Sequence, residues 1–355
     1  MSGTSLDGVD AVLLDVSASV PALLGHVHHG FPPALRAKLL ALNGGTDGEL
    51  ERAALCANEL AQRYAAAVRD LLAEAGATTG ELRAIGCHGQ TVRHRPAAGY
   101  TLQLGNAALL AELTGTCVVS DFRSRDVAAG GQGAPLAPAF HAVMFGSATE
   151  SRIVLNLGGM ANLSWLPAGA AVGGFDTGPG NCLLDLWAQA HLAKPLDEDG
   201  AWAAGAAVDP ALLERLLTEP YFALPPPKST GRDLFNEKWL RARLPAQVEA
   251  RTVQATLLEL TAQSAGRAIR QHCRGAHRLI VCGGGVRNGS LMRRLREILA
   301  PMPVDASDAH GIGPALVEAA AFAWLAHRTL EGRAGNLPAV TGARGERVLG
   351  AIYPA

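Results

Sequence analysis

The chain has 355 residues, 48% of them hydrophobic, and a formal net charge of −1 at pH 7. This length favours two domains over a single hydrophobic core. The near-neutral charge argues against nucleic acid or an anionic membrane as a partner, and no apolar run of about 18 residues predicts a membrane-spanning helix.

The six cysteines are scattered along the chain, and none belongs to a Cys-x-x-Cys pair. Cysteines in this pattern are typical of free, buried thiols in a reducing compartment. The sequence also lacks the charged and then apolar opening of a secretory signal. We therefore expect a cytoplasmic protein.

Residues 2–18 place a turn rich in glycine, serine and aspartate before an apolar strand. Backbone N–H groups and hydroxyls in such a turn can hold an anion, and Asp7 or Asp10 can face Mg²⁺ directly or through water. The segment does not contain the GxxxxGK[ST] pattern of a Walker loop. An ordinary hairpin turn is the alternative, because these residue types are common in turns.

The next predicted strand contains three histidines: His26, His28 and His29. No carboxylate or cysteine at ligand spacing supports a metal site here, so a solvated strand face is the favoured interpretation. Two helices are predicted to follow, over residues 33–42 and 49–74. The second is amphipathic, and Gly76 is its expected stop.

Polar side chains follow two further predicted strands, residues 83–89 and 116–122. The first strand leads to His88, Gln90 and Thr91. The second leads to Arg123, Ser124, Arg125 and Asp126. Charges and amides gathered after strand ends predict a site for a polar ligand, and structural ion pairing is the alternative.

The second half of the chain repeats the layout of the first. Residues 152–167 predict a strand, a glycine turn and a second strand, and residues 173–181 (GGFDTGPGN) predict a strand before a helix. Asp176 thus stands beside a glycine-rich turn, where open α/β sheets place their chemistry, and its carboxylate can accept a proton. The alternative is that Asp176 only caps the helix or the turn.

A proline-rich stretch, residues 221–235, interrupts the regular elements and predicts a lid or a dimer edge. Its polar residues are Lys228, Thr230, Gly231 and Arg232. A helix over residues 251–274 and a strand ending in a glycine turn follow. Gly283, Gly285 and Asn288 do not complete the GxGxxG dinucleotide pattern, and a turn around adenine or ribose fits them better. A helix over residues 314–329, which contains Glu318, precedes a tail that ends in a short strand.

Two anion-holding turns, a central acid and a third glycine turn together indicate the architecture of actin, sugar kinases and heat-shock ATPases. We therefore predict two related ribonuclease H-like α/β domains with a central cleft for a nucleotide. The first domain would comprise residues 1–135 and about 335–355, and the second residues 136–334.

Eight segments carry a resemblance to one family: GTSLDGVD, GCHGQT, DFRSRDVAAGGQGAPLAP, NLGGMANLSW, FDTGPGN, KSTGRDLFN, CGGGVRN and NLPAVTGA. Together, and in this order, they resemble the anhydro-N-acetylmuramic acid kinases of peptidoglycan recycling over nearly the whole chain. The resemblance implies that water opens the 1,6-anhydro ring while O6 takes the γ-phosphoryl group of ATP. The product would be N-acetylmuramic acid 6-phosphate, and a homodimer is expected.

The resemblance also assigns the residues. Asp176 would be the base that activates water. The phosphates of ATP would contact Gly3, Thr4, Ser5, Leu6, Asp7, Gly8, Val9, Asp10, Gly158, Gly159 and Asn162. The adenosine would contact Gly283, Gly284, Gly285 and Asn288. The sugar would contact His88, Gln90, Thr91, Arg125 and Asp126. Mg²⁺ would lie near Asp7 and Glu318.

Two other classes of protein were weighed against this one. Asp-Thr-Gly is also the tripeptide of aspartic proteases, but these need two such acids and the chain has one. A non-catalytic ATP switch of the same fold, binding a protein partner, is the second alternative. The polar loops at residues 88–91 and 123–126 argue against it, because a switch needs no sugar-sized pocket.

The resemblance gives one further expectation, which concerns the first residues. In the resembling family a strand precedes the Met-Ser-Gly-Thr-Ser turn, whereas here that methionine is Met1. A strand of about five or six residues is therefore expected upstream in the native protein. The alternative is a short start that the sheet tolerates.

Overall fold

The computed structural model describes residues 1–3, 6–44 and 48–355, with helices and strands alternating along the chain. It divides into two units: unit 1 contains Met1–Met144 and Leu316–Ala355, and unit 2 contains Phe145–Ala315. The sequence placed the boundaries near residues 135 and 335. They differ because the helix that carries Glu318 packs on strands of unit 1 and so belongs to it.

Twelve strands are found in the described residues. They are β1 (Gly8–Asp15), β2 (Ala22–Gly30), β3 (Ile85–Gly86), β4 (Gln90–Arg95), β5 (Tyr100–Leu104), β6 (Val118–Ser120), β7 (Arg152–Leu157), β8 (Met160–Leu166), β9 (Gly173–Pro179), β10 (Arg278–Cys282), β11 (Val304–Ala306) and β12 (Ala351–Tyr353).

The same part of the chain forms twelve α-helices. They are α1 (Pro33–Gly44), α2 (Glu49–Ala75), α3 (Ala107–Thr114), α4 (Ser124–Ala128), α5 (Ala137–Phe145), α6 (Cys182–Leu192), α7 (Pro210–Leu217), α8 (Glu237–Arg241), α9 (Ala250–His272), α10 (Gly289–Leu299), α11 (Val317–Leu330) and α12 (Pro338–Thr341).

Unit 2 contains one five-stranded sheet in the order β11-β10-β7-β8-β9. Strands β7, β10 and β11 are parallel, whereas β8 runs antiparallel to both of its neighbours. This order is that of the expected ribonuclease H-like domain. Apolar side chains of β7, including the fully buried Ile153 and Leu155, pack with the long helix α9 in the core of the unit.

In the described residues of unit 1 the strands do not form one sheet. Strands β1 and β2 form an antiparallel pair, β12, β6 and β3 form a three-stranded sheet, and β4 pairs with β5. A cavity of about 940 Å³ is lined by β1, by Ile85 and Gly86 of β3, and by side chains of α2 and α11. The core of the unit lies beside it, where β1, α2 and α3 pack together.

Helix α2 illustrates how sequence signals set these elements. It begins after Gly48 and ends at Gly76, whose φ of 64° places it in the left-handed region that favours glycine. Its apolar residues recur at helical spacing and bury one face, including Leu60 and Leu71. The observed helix is one residue longer than the predicted one.

The cysteines agree with the sequence analysis. All six are free thiols, and every one except Cys117 is buried. Two of the three histidines of β2 contact carboxylates: His28 contacts Asp10 (2.8 Å) and His29 contacts Asp70 (3.1 Å). Apart from residues 4–5 and 45–47, which were not searched, no helix is long and apolar enough to cross a membrane.

Candidate active site

Asp176 lies in the middle of β9, where it pairs with Asn162 of β8. Its N–H donates to the carbonyl oxygen of Lys228 (3.1 Å), and its carbonyl oxygen accepts from the Tyr221 hydroxyl (2.7 Å). One carboxylate oxygen, Oδ2, accepts the N–H of Thr230 (2.9 Å). The residue is therefore held at three points, whereas Oδ1 accepts no hydrogen bond from the residues that the structure describes.

The alternative role of Asp176 as a helix cap is not realised. Helix α6 begins at Cys182, and its N-cap residue is Asn181. The Asp176 carboxylate bonds to Thr230, far along the chain, and not to the first turn of that helix. The Asp176 side chain therefore does not cap the helix.

The surroundings of Asp176 make it a stronger base than an ordinary aspartate. Burial raises the pKa of its carboxyl from 3.8 to about 7, while the N–H of Thr230 and the charge of Lys228 act in the opposite direction. The Lys228 ammonium donates to the carbonyl oxygens of Tyr221 and Phe222 (3.2 Å each) and lies 4.8 Å from the centre of the Tyr221 ring. A carboxyl with this pKa can take up a proton near neutral pH.

The glycine turn between β7 and β8 has free N–H groups. Its carbonyl oxygens are in use: that of Gly158 accepts from Asn181 (2.8 Å), and that of Gly159 accepts from Gly180 and Cys182 (3.0 Å each). In the described part of the chain, the N–H groups of Gly158 and Gly159 donate no hydrogen bond. Adjacent unpaired N–H groups in a turn are suited to an anion such as phosphate.

A cation lies beside this turn. The Arg232 guanidinium is 3.7 Å from the position that a β-carbon on Gly159 would occupy. Arg232 is exposed, and its charge opposes the rise that burial causes in the pKa of Asp185, which reaches about 6. A guanidinium next to free N–H groups adds a charged donor for phosphate.

The predicted nucleoside turn packs against the same end of β7. Gly283 has a φ of 83°, and a β-carbon there would lie 2.4 Å from Asn156 Oδ1 and 2.8 Å from the carbonyl oxygen of Leu157. Only glycine fits at this position. Gly284 is open, since no atom outside its immediate neighbours lies within 4 Å of its β-carbon position. The turn therefore adjoins the phosphate turn within unit 2.

Asn288, a predicted adenosine contact, caps a helix. Its Oδ1 accepts the N–H of Leu291 (2.9 Å) and so caps helix α10. Asparagine is a preferred N-cap because its side-chain oxygen satisfies an otherwise unpaired N–H group. The structure thus gives Asn288 a structural function.

In unit 1, the first turn contacts the loop that carries the predicted sugar residues. Gln90 is buried, and its Nε2 donates to the carbonyl oxygen of Gly3 (3.1 Å). The Ser2 hydroxyl lies 2.8 Å from that of Tyr64 and donates to the carbonyl oxygen of Gly89. The predicted phosphate contacts Thr4 and Ser5 lie outside the described residues.

Leu6, Gly8, Val9 and Asp10 are further residues of the predicted first phosphate turn. Leu6 is buried and has a φ of 57°, an uncommon value for a residue with a side chain. Gly8 and Val9 are also buried at the start of β1, and Asp10 exchanges backbone hydrogen bonds with Met1. The positive φ of Leu6 thus places a left-handed backbone residue shortly before β1.

His88 supports an arginine in unit 1. Its Nδ1 bonds to the carbonyl oxygen of Gly89 (2.7 Å), and its Nε2 accepts from Arg123 Nε (3.0 Å). Burial and then the charge of Arg123 hold the pKa of His88 well below its usual range, so the ring is neutral. Arg123 also donates to the carbonyl oxygen of Gly133 (2.7 Å). Both ring nitrogens of His88 are therefore occupied in this structure, and its role as a sugar contact stays a prediction.

Asp126 is fully buried, and its role as a sugar contact stays a prediction. Its Oδ2 accepts the N–H of Gly133 (2.8 Å), and its Oδ1 accepts from Asn336 Nδ2 (2.7 Å) and the Thr341 hydroxyl (2.8 Å). This carboxylate joins the loop after β6 to the C-terminal tail. Structural pairing, the alternative weighed from the sequence, is what the structure has here, whereas the neighbouring Arg125 is exposed.

The two predicted metal ligands are exposed carboxylates of unit 1: Asp7 before β1 and Glu318 in the first turn of α11. The described ranges contain no group of three side chains that could hold a metal. This donor set fits Mg²⁺, which binds through one or two carboxylates and otherwise keeps water or phosphate oxygens.

Comparison with known proteins identifies the family. The family model for anhydro-N-acetylmuramic acid kinase matches residues 1–355. The chain belongs to the anhydro-N-acetylmuramic acid kinase family. A relative of that name from Cupriavidus pinatubonensis is 54% identical over 100% of this chain and 97% of its own length. One from Variovorax paradoxus is 55% identical over 100% of this chain and 98% of its own.

Membership in the anhydro-N-acetylmuramic acid kinase family makes the chain an enzyme that transfers a phosphoryl group. The resemblance found in the sequence is confirmed, as is the fold class of two α/β domains. A kinase of this family uses ATP, and both alternatives, the aspartic protease and the non-catalytic switch, are discarded.

The sequence predicted no contact with Asp176 for three residues that the structure places there, and it placed Arg123 only in a loop for a polar ligand. Tyr221, Lys228 and Thr230 contact Asp176, and Arg123 donates a hydrogen bond to His88. A signal for Lys228 and Thr230 was present, because the KSTGRDLFN segment puts polar residues inside a proline-rich stretch. Nothing in the sequence says which strand that segment lies beside, and so it was assigned only to a lid or a dimer edge.

Proposed function

We propose that the chain hydrolyses the 1,6-anhydro bond of 1,6-anhydro-N-acetylmuramic acid and phosphorylates O6 with ATP. The products are N-acetylmuramic acid 6-phosphate and ADP, and the reaction serves peptidoglycan recycling. The observation that carries the proposal is Asp176, with one carboxylate oxygen bonded to Thr230 and the other available. A carboxyl whose pKa is about 7 is suited to activate water.

The reaction consists of one nucleophilic attack by water and one phosphoryl transfer. Water attacks the anomeric carbon and gives a proton to Asp176, and the bond between that carbon and O6 breaks with its electron pair on O6. O6 then bonds to the γ-phosphorus, and ADP leaves with the electrons of the broken P–O bond. General-base help of this kind is worth about 10²–10⁴-fold in rate.

The nucleotide contacts in unit 2 follow the glycine turns. Gly158, Gly159 and Asn162 contact phosphate, and residues 283–285 receive the nucleoside. The unpaired N–H groups of the first turn support this assignment. Asn288 acts indirectly, because it caps the helix that follows the nucleoside turn.

In unit 1, the first glycine turn contributes phosphate contacts, and Gln90, Thr91 and Arg125 contact the sugar. Arg125 is exposed and is suited to pair with the lactyl carboxylate. His88 and Asp126 position this loop through their hydrogen bonds. Asp7 and Glu318 would hold Mg²⁺, which would neutralise phosphate charge during the transfer.

A mass measurement tests the proposal. The protein is incubated with ATP, Mg²⁺ and the anhydro sugar, and the product should gain both a phosphate and a water. In water enriched in heavy oxygen, the label should enter at the anomeric carbon. Label in the phosphate would indicate plain ATP hydrolysis and contradict the coupled reaction.

Two further parts of the proposal concern the state of the enzyme in the cell. The first part is a cytoplasmic location, because the reaction needs ATP and its substrate is released by cell-wall turnover. A homodimer is also proposed, and light scattering of the purified protein tests it: a mass near twice 36.8 kDa is expected, and a mass near that of one chain would contradict it.

A further inference from the structure

Residues 228–232 run beside β9 without belonging to a helix or strand. Two hydrogen bonds attach this segment to Asp176: the N–H of Asp176 donates to Lys228, and the N–H of Thr230 donates to Asp176 Oδ2. The second bond comes from the backbone of Thr230. Its hydroxyl is therefore held next to the proposed base without bonding to it.

The Thr230 hydroxyl is buried and has no hydrogen-bond partner. A hydroxyl is a donor and an acceptor, and leaving one unpaired in the interior is unfavourable. Four other buried polar atoms in the described part of the chain also lack a partner: Gln90 Oε1, Gln103 Oε1, Gln254 Oε1 and Ser307 Oγ. The three glutamines use their amide nitrogens. Thr230 is distinguished by its bond to the proposed base.

We propose that Thr230 is a catalytic residue whose hydroxyl binds the attacking water. This inference rests on the proposed function and adds a residue to its first step. The water donates one hydrogen to Asp176 Oδ1 and the other to Thr230 Oγ1, which leaves a lone pair for the anomeric carbon. The proton on Oδ1 moves to Asp176, as in the balanced reaction above.

The arrangement explains why one residue bonds to Asp176 through its backbone and keeps its side chain free. The N–H of Thr230 occupies Oδ2 and leaves Oδ1 to accept from the proposed water. Lys228 anchors the segment through the carbonyl oxygens of Tyr221 and Phe222. Two groups on a water fix its orientation, and such positioning lowers the barrier because less freedom is lost in the transition state.

The test compares substitutions that separate the hydroxyl from the backbone. Thr230→Val keeps the shape of the side chain and the N–H on Oδ2 but removes the hydroxyl, whereas Thr230→Ser keeps the hydroxyl. We expect kcat of Thr230→Val to fall about tenfold to a hundredfold, with KM for ATP within about twofold because uniform binding is unchanged. Thr230→Ser should recover most of the loss.

Ser229→Ala is the matched control, because it removes an exposed hydroxyl from the neighbouring residue. It should leave kcat unchanged. Since Thr230→Val keeps the hydrogen bond to Oδ2, the pH at which kcat/KM falls to half should also stay where it is in the wild type. A merely structural threonine would change stability and not kcat alone, so thermal melting of each variant is measured as well.

The outcomes separate this inference from the proposed function. Wild-type protein that yields no phosphorylated, hydrated sugar overturns both. Wild-type product together with an unimpaired Thr230→Val overturns the role of Thr230 alone. If Thr230→Val does not fold, the pair Thr230→Ala and Thr230→Ser decides the matter: equal kcat values contradict the inference, and a loss confined to Thr230→Ala supports it.

Discussion

The two units hold their polar groups in different ways. In unit 2 one continuous sheet carries Asp176, and hydrogen bonds to the backbone of a neighbouring segment hold the residue in place. In unit 1 the sheet is divided, a cavity of about 940 Å³ lies beside β1 and β3, and the loops depend on side-chain bonds such as those of Asp126.

This difference has a consequence for mutation. A backbone ladder does not depend on the identity of a side chain, so a change at Asp176 should affect chemistry and spare the fold. A buried carboxylate that serves three donors is the opposite case, because its removal leaves those donors unpaired. Loss of Asp176 should therefore lower the activity, whereas loss of Asp126 should lower the stability.

The largest effect is expected from Asp176→Asn in unit 2. Asparagine has almost the same shape but cannot take up a proton, so kcat should fall about 10²–10⁴-fold. The variant should melt no lower than the wild type, because a neutral side chain is less costly to bury than a carboxylate. Steady-state kinetics and calorimetry measure the two quantities, and a variant that keeps its activity would remove Asp176 from the mechanism.

The next effect is expected from Asp126→Ala in unit 1. The change leaves the N–H of Gly133, the Asn336 amide and the Thr341 hydroxyl without their acceptor. Stability should fall by about 3 kcal/mol, since an unsatisfied buried donor costs about 1–3 kcal/mol. Urea unfolding provides the measurement, and Glu112→Ala, which removes an exposed carboxylate of the same unit, is the control.

An equal loss in the Asp126→Ala and Glu112→Ala variants would contradict the structural role of Asp126. A normal stability combined with a raised KM for the sugar would instead restore the contact that the sequence predicted. Either result would weaken the contrast between the two units.

A smaller effect should come from adding a strand to unit 1. Met1 already exchanges two backbone hydrogen bonds with Asp10 of β1 (2.8 and 2.9 Å). An engineered extension of six apolar, β-branched residues on Met1 should continue this pairing and fill the cavity. Burial of one or two side chains would stabilise the protein by about 2 kcal/mol.

The control for this extension is a glycine-serine segment of the same length, which should give no gain. If both extensions leave the unfolding midpoint unchanged, the cavity does not accept a strand and the comparison with unit 2 fails at this point.

Elements with local signals were predicted closely from the sequence. Helix α9 was expected over residues 251–274 and spans Ala250–His272, because a long apolar and polar pattern specifies it. The glycine turns next to β7 and β9 were also predicted, because clustered glycines are a local signal for a turn. The second turn was predicted over residues 156–162. The observed turn contains only Gly158 and Gly159, since β8 begins at Met160.

Long-range contacts could not be predicted in this way. Thr230 bonds to Asp176 across 54 positions of sequence, and no periodicity links the two. The burial of Asp126 was also hidden, because its partners Asn336 and Thr341 come from the far end of the chain. The pattern of helix α11 gave its approximate extent but not the unit on which it packs.

The pH dependence of kcat/KM tests the central claim, that Asp176 acts as a base in a site that raises its pKa. Because the carboxylate form is the active one and the pKa is about 7, activity should be full above that pH and fall tenfold per unit below it. The account predicts half-maximal kcat/KM near pH 7. A profile that stays level down to about pH 4, where an ordinary aspartate titrates, would contradict it.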